Sequence, residues 1–125
     1  LESMCFQVKD VLDSMNKDTN EDNMKEFLLR VDGGAAVNNL LMQTQANLLG
    51  SAVIRPADIE TTALGAAYAA GLAVGVWTED EVFASDRKRN TSTIFEPKLD
   101  EELRMKKAES WCKAVSRTFD LADLY

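Results

Sequence analysis

The sequence predicts an α/β domain in which short buried strands are flanked by helices and part of the sheet is parallel. Three observations predict it. Apolar residues recur at the helical period of 3.6 in several segments. Two short apolar runs, at 27–31 and 52–54, stop at turn-forming residues, Asp32-Gly33-Gly34 and Arg55-Pro56, as buried strands do. The elements alternate as helix, strand, helix, strand, helix with short connections, which is the order of a parallel α/β unit.

Each element has its own warrant. A first helix at 3–15 places Met4, Val8, Val11, Leu12 and Met15 on one face. The polar stretch 16–23 reads as a loop. The strand at 27–31 enters the glycine pair. A second helix from Val37 carries Leu41, Thr44 and Leu48 on one face with Leu40 beside them, and Gly50 is placed to end it as a C-cap. The strand at 52–54 ends before Pro56, which has no N–H for a ladder. A third helix starts at Thr61 or Thr62, whose hydroxyl can cap the first turn, and runs through Gly71. Its Gly65, Ala66, Ala69 and Ala70 leave room for close approach by a neighbouring backbone or a ligand. The stretch 77–93 reads as a connection with a small basic run, Arg87-Lys88-Arg89, at an exposed tip. The last helix, at 99–119, has an apolar face of Ala108, Trp111, Cys112, Val115 and Phe119, with Asp100–Arg104, Glu102–Lys106 and Glu109–Lys113 at the favourable i,i+4 spacing. Trp77 and Trp111 fit core or interface packing.

Two short strands make a poor sheet, so the missing strands are expected upstream. The first helix begins at Leu1 without a cap or a leading Met. Both features lead to the expectation that these 125 residues are a piece of a longer protein.

Composition excludes several functions. Apolar residues make up 46% and charged residues 28%, enough for an ordinary core. Net charge is −7 and no basic face is evident, which argues against nucleic-acid binding. With no His, neither a Ser-His-Asp triad nor a histidine-bearing zinc site can be built from this chain. Cys5 and Cys112 each sit in an apolar helical stripe and form no CxxC motif, so two buried, reduced thiols and a cytoplasmic location are expected. Residues 61–78 carry no charge, but their glycines and alanines make them too weakly apolar for a membrane span.

The chemistry-bearing segment is Asp32-Gly33-Gly34-Ala35-Ala36-Val37-Asn38-Asn39. In open α/β sheets ligands bind beyond the carboxyl ends of the strands. Gly33 and Gly34 remove side chains there, the following helix offers N–H groups, and Asn38 has an amide suited to a base or a ribose. A nucleotide contact and a plain tight turn explain the pattern equally well, since it matches neither GxGxxG nor the P-loop. Asp32 could hold a metal or orient a hydroxyl; its competing bonds to nearby backbone N–H groups favour a turn-shaping role. Glu60 reads as part of a helix start.

Leu29-Arg30-Val31-Asp32-Gly33-Gly34-Ala35, Asn38-Asn39, Leu41-Met42-Gln43 and Glu60-Thr61-Thr62-Ala63-Leu64-Gly65-Ala66-Ala67-Tyr68-Ala69-Ala70-Gly71 closely resemble the glycerol kinases, of the FGGY carbohydrate kinase family. Leu1-Glu2, Phe6-Gln7 and Asp10-Val11-Leu12 resemble the preceding helix, and Trp77-Thr78-Glu79-Asp80-Glu81 is nearest the plant-type branch. The resemblance covers nearly the whole chain and weakens between Phe83 and Arg104.

The resemblance implies the end of the C-terminal lobe of a ribonuclease-H-like, actin-like ATPase fold. Residues 27–50 would be its adenosine motif, 60–76 its second connecting helix and 99–120 its C-terminal helix. Gly34 would meet the nucleotide through its backbone and Asn38 through its side chain, while Asp32 and Gly33 would shape the turn. The implied activity of the longer protein is transfer of a phosphoryl group from ATP, with Mg2+, to glycerol, giving glycerol 3-phosphate. Family members often form homo-oligomers. The phosphate loop, the glycerol-binding residues and the catalytic aspartate have no match in this chain, so the piece alone is expected to be inactive. The rival expectations are a kinase for another polyol or sugar, and a non-catalytic nucleotide-binding or interaction module of the same fold.

Overall fold

The computed structural model describes residues 1–19, 28–88 and 92–120. Helix α1 spans Glu2–Thr19, strand β1 Leu29–Arg30, the 3-10 helix η1 Gly34–Val37, helix α2 Asn39–Leu49, strand β2 Val53–Arg55, helix α3 Thr61–Ala73, helix α4 Glu79–Lys88, strand β3 Thr93–Phe95 and helix α5 Glu101–Ser116.

The strands form one mixed sheet in the order β1-β2-β3. β1 and β2 are parallel, with Leu29 opposite Val53 and Arg30 opposite Ile54. β2 and β3 are antiparallel, with Val53 opposite Phe95 and Arg55 opposite Thr93. β3 is a correction to the sequence reading, which ran this segment straight into the last helix. Thr93-Ile94-Phe95 is too short to show alternation, and its pairing with β2 is a long-range contact that no local pattern reports.

Helix α2 is the centre of the packing. Against the sheet lie Met42 and Ala46 with Ala36, Val53 and Phe95. On its other side Leu48 packs with Cys5 and Phe6 of α1, joined by Ala108 and Trp111 of α5. Phe6 stacks on Trp111 with ring centroids 5.4 Å apart, and the Trp111 indole N–H donates to Asp10 at 2.8 Å. Gln45 is the buried polar side chain of the core, and its amide donates to the Cys5 carbonyl at 3.2 Å, which satisfies both groups. Gly50 ends α2 in the left-handed conformation, φ 73°, as the C-cap reading expects.

Several local expectations change. α1 runs on to Thr19, four residues beyond the expected end, over residues taken for a loop; the rest of that loop, and Phe27, lie outside the described residues. The apolar stripe of α1 is exposed: Met4, Val8, Val11 and Met15 face outward, while Cys5 and Phe6 carry the packing. Burial raises the pKa of the Cys5 thiol; the terminal ammonium works against that rise and Glu2 adds to it, both more weakly. Cys112 is exposed, contrary to the two-buried-thiols expectation, because α5 meets α1 through Trp111 and Ala108 instead; both cysteines are free.

The connection at 77–93 contains α4. Its start is a capping box: the Thr78 N–H donates to Glu81 Oε2 at 2.8 Å, and the Glu81 N–H returns to the Thr78 hydroxyl at 3.4 Å. The Thr-x-x-Glu spacing is present in the sequence, inside the stretch read as a connection. Arg89 and Asn90, at the expected basic tip, lie outside the described residues. In α5, Asp100 caps the Leu103 N–H at 2.8 Å, while Arg104 approaches Glu101 rather than Asp100; Lys106 pairs with Glu102 at 2.6 Å as expected. Among the described residues, no helix is long and apolar enough to cross a membrane.

Candidate functional site

Parallel pairing brings the carboxyl ends of β1 and β2 to one edge of the sheet, where ligands of α/β folds bind. At that edge the Val31 N–H donates to the Ile54 carbonyl at 2.9 Å, the last rung before the chain leaves the ladder. Gly33 follows at φ 80° and ψ 173°, a backbone region open essentially to glycine alone. Its N–H donates to the Ile59 carbonyl at 2.9 Å, and its carbonyl accepts from the Ala36 N–H at 3.0 Å, opening the single turn η1. Gly33 is therefore required by the turn itself. Gly34 is exposed, and a Cβ placed on it would meet nothing within 4 Å. The space in front of its backbone is open.

Asn38 is the N-cap of α2, one position before the helical turn in which the sequence placed it. Its Oδ1 accepts from the Leu40 N–H at 3.0 Å and the Leu41 N–H at 3.1 Å. The cap thus occupies the carbonyl half of the amide. The N–H₂ half remains for another partner.

Asp32 bonds across the fold rather than to neighbouring backbone N–H groups. Its carboxylate accepts from the Thr61 hydroxyl at the start of α3. That hydroxyl is thereby taken from the capping role the sequence suggested for it; Glu60 occupies the N-cap position and makes no side-chain cap bond. Together with the Gly33–Ile59 bond, this ties the glycine turn to the loop that leads into α3. Asp58 bends that loop by accepting from the Glu60 N–H at 3.1 Å.

Arg55 was not singled out in the sequence, where it merely preceded Pro56. Its Nη1 donates to the carbonyls of Ala36 at 2.8 Å and Val37 at 3.1 Å and to Asn39 Oδ1 at 2.8 Å. The guanidinium lies over the Phe95 ring, 5.2 Å from its centroid. The available signal was its position at the carboxyl end of a strand, level with the glycine turn once the two strands are taken as parallel.

The small-residue stripe of α3 does not contribute to this site. Gly65, Ala66, Ala69 and Ala70 are exposed, and a Cβ on Gly65 would meet nothing within 4 Å. Close approach occurs instead at Gly71, on which the Trp77 ring rests while meeting Tyr68 edge-on at 5.7 Å. Among the described residues no three of His, Cys, Asp and Glu gather as a metal site. The edge offers recognition: an open glycine, a spare amide and a turn held from two sides.

Residues 1–74 match the FGGY family of carbohydrate kinases, C-terminal domain. The chain is 69% identical over 129 residues to a glycerol kinase of Arabidopsis thaliana, covering 99% of this chain and 25% of that protein. It is 50% identical over 117 residues to a glycerol kinase of Carboxydothermus hydrogenoformans, covering 94% of this chain and 22% of that one. The fold matches the crystal structure of Plasmodium falciparum glycerol kinase with ADP at a TM-score of 0.74 and 32% identity, over 94% of this chain and 23% of that chain. The chain spans about a quarter of the length of the relatives it matches. The expected fold, part of an actin-like ATPase lobe, is borne out by that structural match.

Proposed function

The chain belongs to the FGGY family of carbohydrate kinases, as part of its C-terminal domain, and from that premise we propose that the whole protein transfers a phosphoryl group from ATP to glycerol. The observation that carries this is the 69% identity, across 99% of this chain, to a protein named glycerol kinase. The solved relative that shares the fold holds ADP, which supports a nucleotide site in this protein as well.

Within the chain, the glycine turn is the part that fits a nucleotide. The open face of Gly34 admits a ligand against the backbone, and the free half of the Asn38 amide supplies donors beside it. Gly33 and Asp32 act indirectly: Gly33 makes the turn possible, and Asp32 anchors it to α3. ATP brings the phosphoryl group and its charge; Mg2+ accompanies the phosphates, which with water supply most of its ligands. The catalysis is chiefly positioning and charge stabilisation, so holding the nucleotide in register is what these residues contribute. Two free thiols and a chain without a span among its described helices support a cytoplasmic setting. A homo-oligomer belongs to the same reading, and sedimentation of the whole protein checks it.

The test is turnover. The whole protein, given ATP and glycerol, should form glycerol 3-phosphate and should act far more slowly on xylulose. The 125-residue chain alone should show no turnover. In the whole protein, Gly34→Val and Asn38→Ala should raise KM for ATP and leave KM for glycerol nearly unchanged. A preference for xylulose, or no transfer to any polyol, would sink the proposal.

A further inference from the structure

We infer that Arg55 is a positioning residue for the nucleotide turn, fixing from strand β2 where Gly34 and Asn38 stand. The inference rests on the nucleotide reading above and goes beyond it to a residue which that reading did not include.

The helical hydrogen bonding is broken between η1 and α2. In an unbroken α-helix the N–H groups of Leu40 and Leu41 would donate to the carbonyls four residues back, those of Ala36 and Val37. Here both N–H groups go to Asn38 Oδ1. The two carbonyls are left without their helical donors, at the end of a single 3-10 turn whose own bonds are poorly directed. Arg55 Nη1 takes both, at 2.8 and 3.1 Å, and also holds Asn39 Oδ1 at 2.8 Å.

The break is therefore held from both sides. Asn38 receives the displaced N–H groups, and Arg55 supplies the displaced carbonyls with a donor. Without Arg55 the Ala36 and Val37 carbonyls would compete with Asn38 Oδ1 for Leu40 and Leu41. A continuous helix through Asn38 would then gain population. Its side chain would lose the cap, and the Gly34 backbone would shift with the turn.

Arg55 is suited to this by its own anchorage. It is the last residue of β2, with Thr93 of β3 opposite, and its planar guanidinium lies over Phe95. Its placement is thus set by the sheet and not by the loop it holds.

The experiment uses the whole protein with ADP and ATP as probes. Arg55→Met should raise the Kd for ADP and KM for ATP about tenfold or more, with KM for glycerol changed by less than about twofold. Amide exchange over 36–41 should speed up in the same variant. Arg55→Lys keeps the charge and some donors, so it should recover part of the loss. If Arg55→Met fails to fold, Arg55→Lys decides, with an expected rise in Kd of about threefold at an unchanged Tm. The inference is overturned if a folded Arg55→Met binds ADP as the parent does. It is also overturned if both KM values and Tm worsen together and Lys rescues nothing, or if Arg55→Lys, as the only folded variant, has an unchanged Kd. Gly34→Val separates the levels: if it leaves ADP binding untouched, the nucleotide reading fails, and this inference falls with it whatever Arg55 shows.

Discussion

Helices α2 and α3 both lack charged residues and differ in fate. α2, Asn39–Leu49, has no charged residue, and Met42, Gln45, Ala46 and Leu48 are buried between the sheet and α1 with α5. α3, Thr61–Ala73, has no charged residue either, yet Gly71 is its one buried position. A helix apolar on all sides belongs in an interior, and within the described residues α3 is not in one. α1 repeats the lesson on a smaller scale, since its apolar stripe faces out while Cys5 and Phe6 face in. An apolar pattern reports that a face is suited to cover. It does not report which neighbour covers it.

The largest expected effect tests that contrast directly. In the 125-residue chain, Leu48→Ala removes a side chain that is 2% exposed and should cost about 2–5 kcal/mol in urea unfolding. Leu72→Ala, at a position 37% exposed on α3, should cost under about 1 kcal/mol. Equal losses would break the comparison. Next comes the close contact of α3 with Trp77. A Cβ on Gly71 would lie 2.2 Å from Trp77 Cε3, so Gly71→Ala must displace the ring. We expect an overpacking cost of about 1–3 kcal/mol, offset by about 1 kcal/mol of helix propensity, with red-shifted Trp77 emission in a Trp111→Phe background. An unshifted spectrum would show that Trp77 does not rest on Gly71 in solution.

Asn38→Ala should cost about 1 kcal/mol through loss of the cap, and amide exchange should quicken at Leu40 and Leu41 alone of α2. Protection unchanged at those two amides would remove the cap from the argument. The smallest effect is a pH dependence at α4. Hydrogen bonds from the Thr78 backbone and then its hydroxyl hold the Glu81 carboxyl below the ordinary glutamate range. A depressed folded pKa means that the stabilisation is present above the unfolded value of about 4.3 and is lost as pH falls through the folded one. The protection factor of the first-turn amides of α4, taken against the intrinsic exchange rate at each pH, should therefore fall as pH drops below about 4.3, and Glu81→Gln should flatten that response.

Much of the site was legible because its signals are local. Gly33 and Gly34 after an apolar run, followed by Asn38, mark a strand-to-helix turn by residue type alone, and Gly33 proves to need its glycine. The partners of that turn were not legible. Thr61 is 29 positions from Asp32, and Arg55 is 19 from Ala36; neither separation leaves a trace in local periodicity. The capping box of α4 is a different failure. Thr78 and Glu81 stand in plain view at the capping-box spacing, within a stretch read only as a connection.

The sequence by itself determined the α/β class, helices α1, α2, α3 and α5, the first two strands, the glycine turn and the family. These follow from short-range propensity, turn chemistry and motif. Only the tertiary structure decided the third strand, the outward turn of the α1 stripe, the exposure of Cys112, and the bonds of Asp32 and Arg55. The physical reason is that burial and hydrogen bonding are settled between elements. Asp32 had several possible partners along the chain, and the parallel alignment of β1 with β2, with α3 starting beside them, chose Thr61.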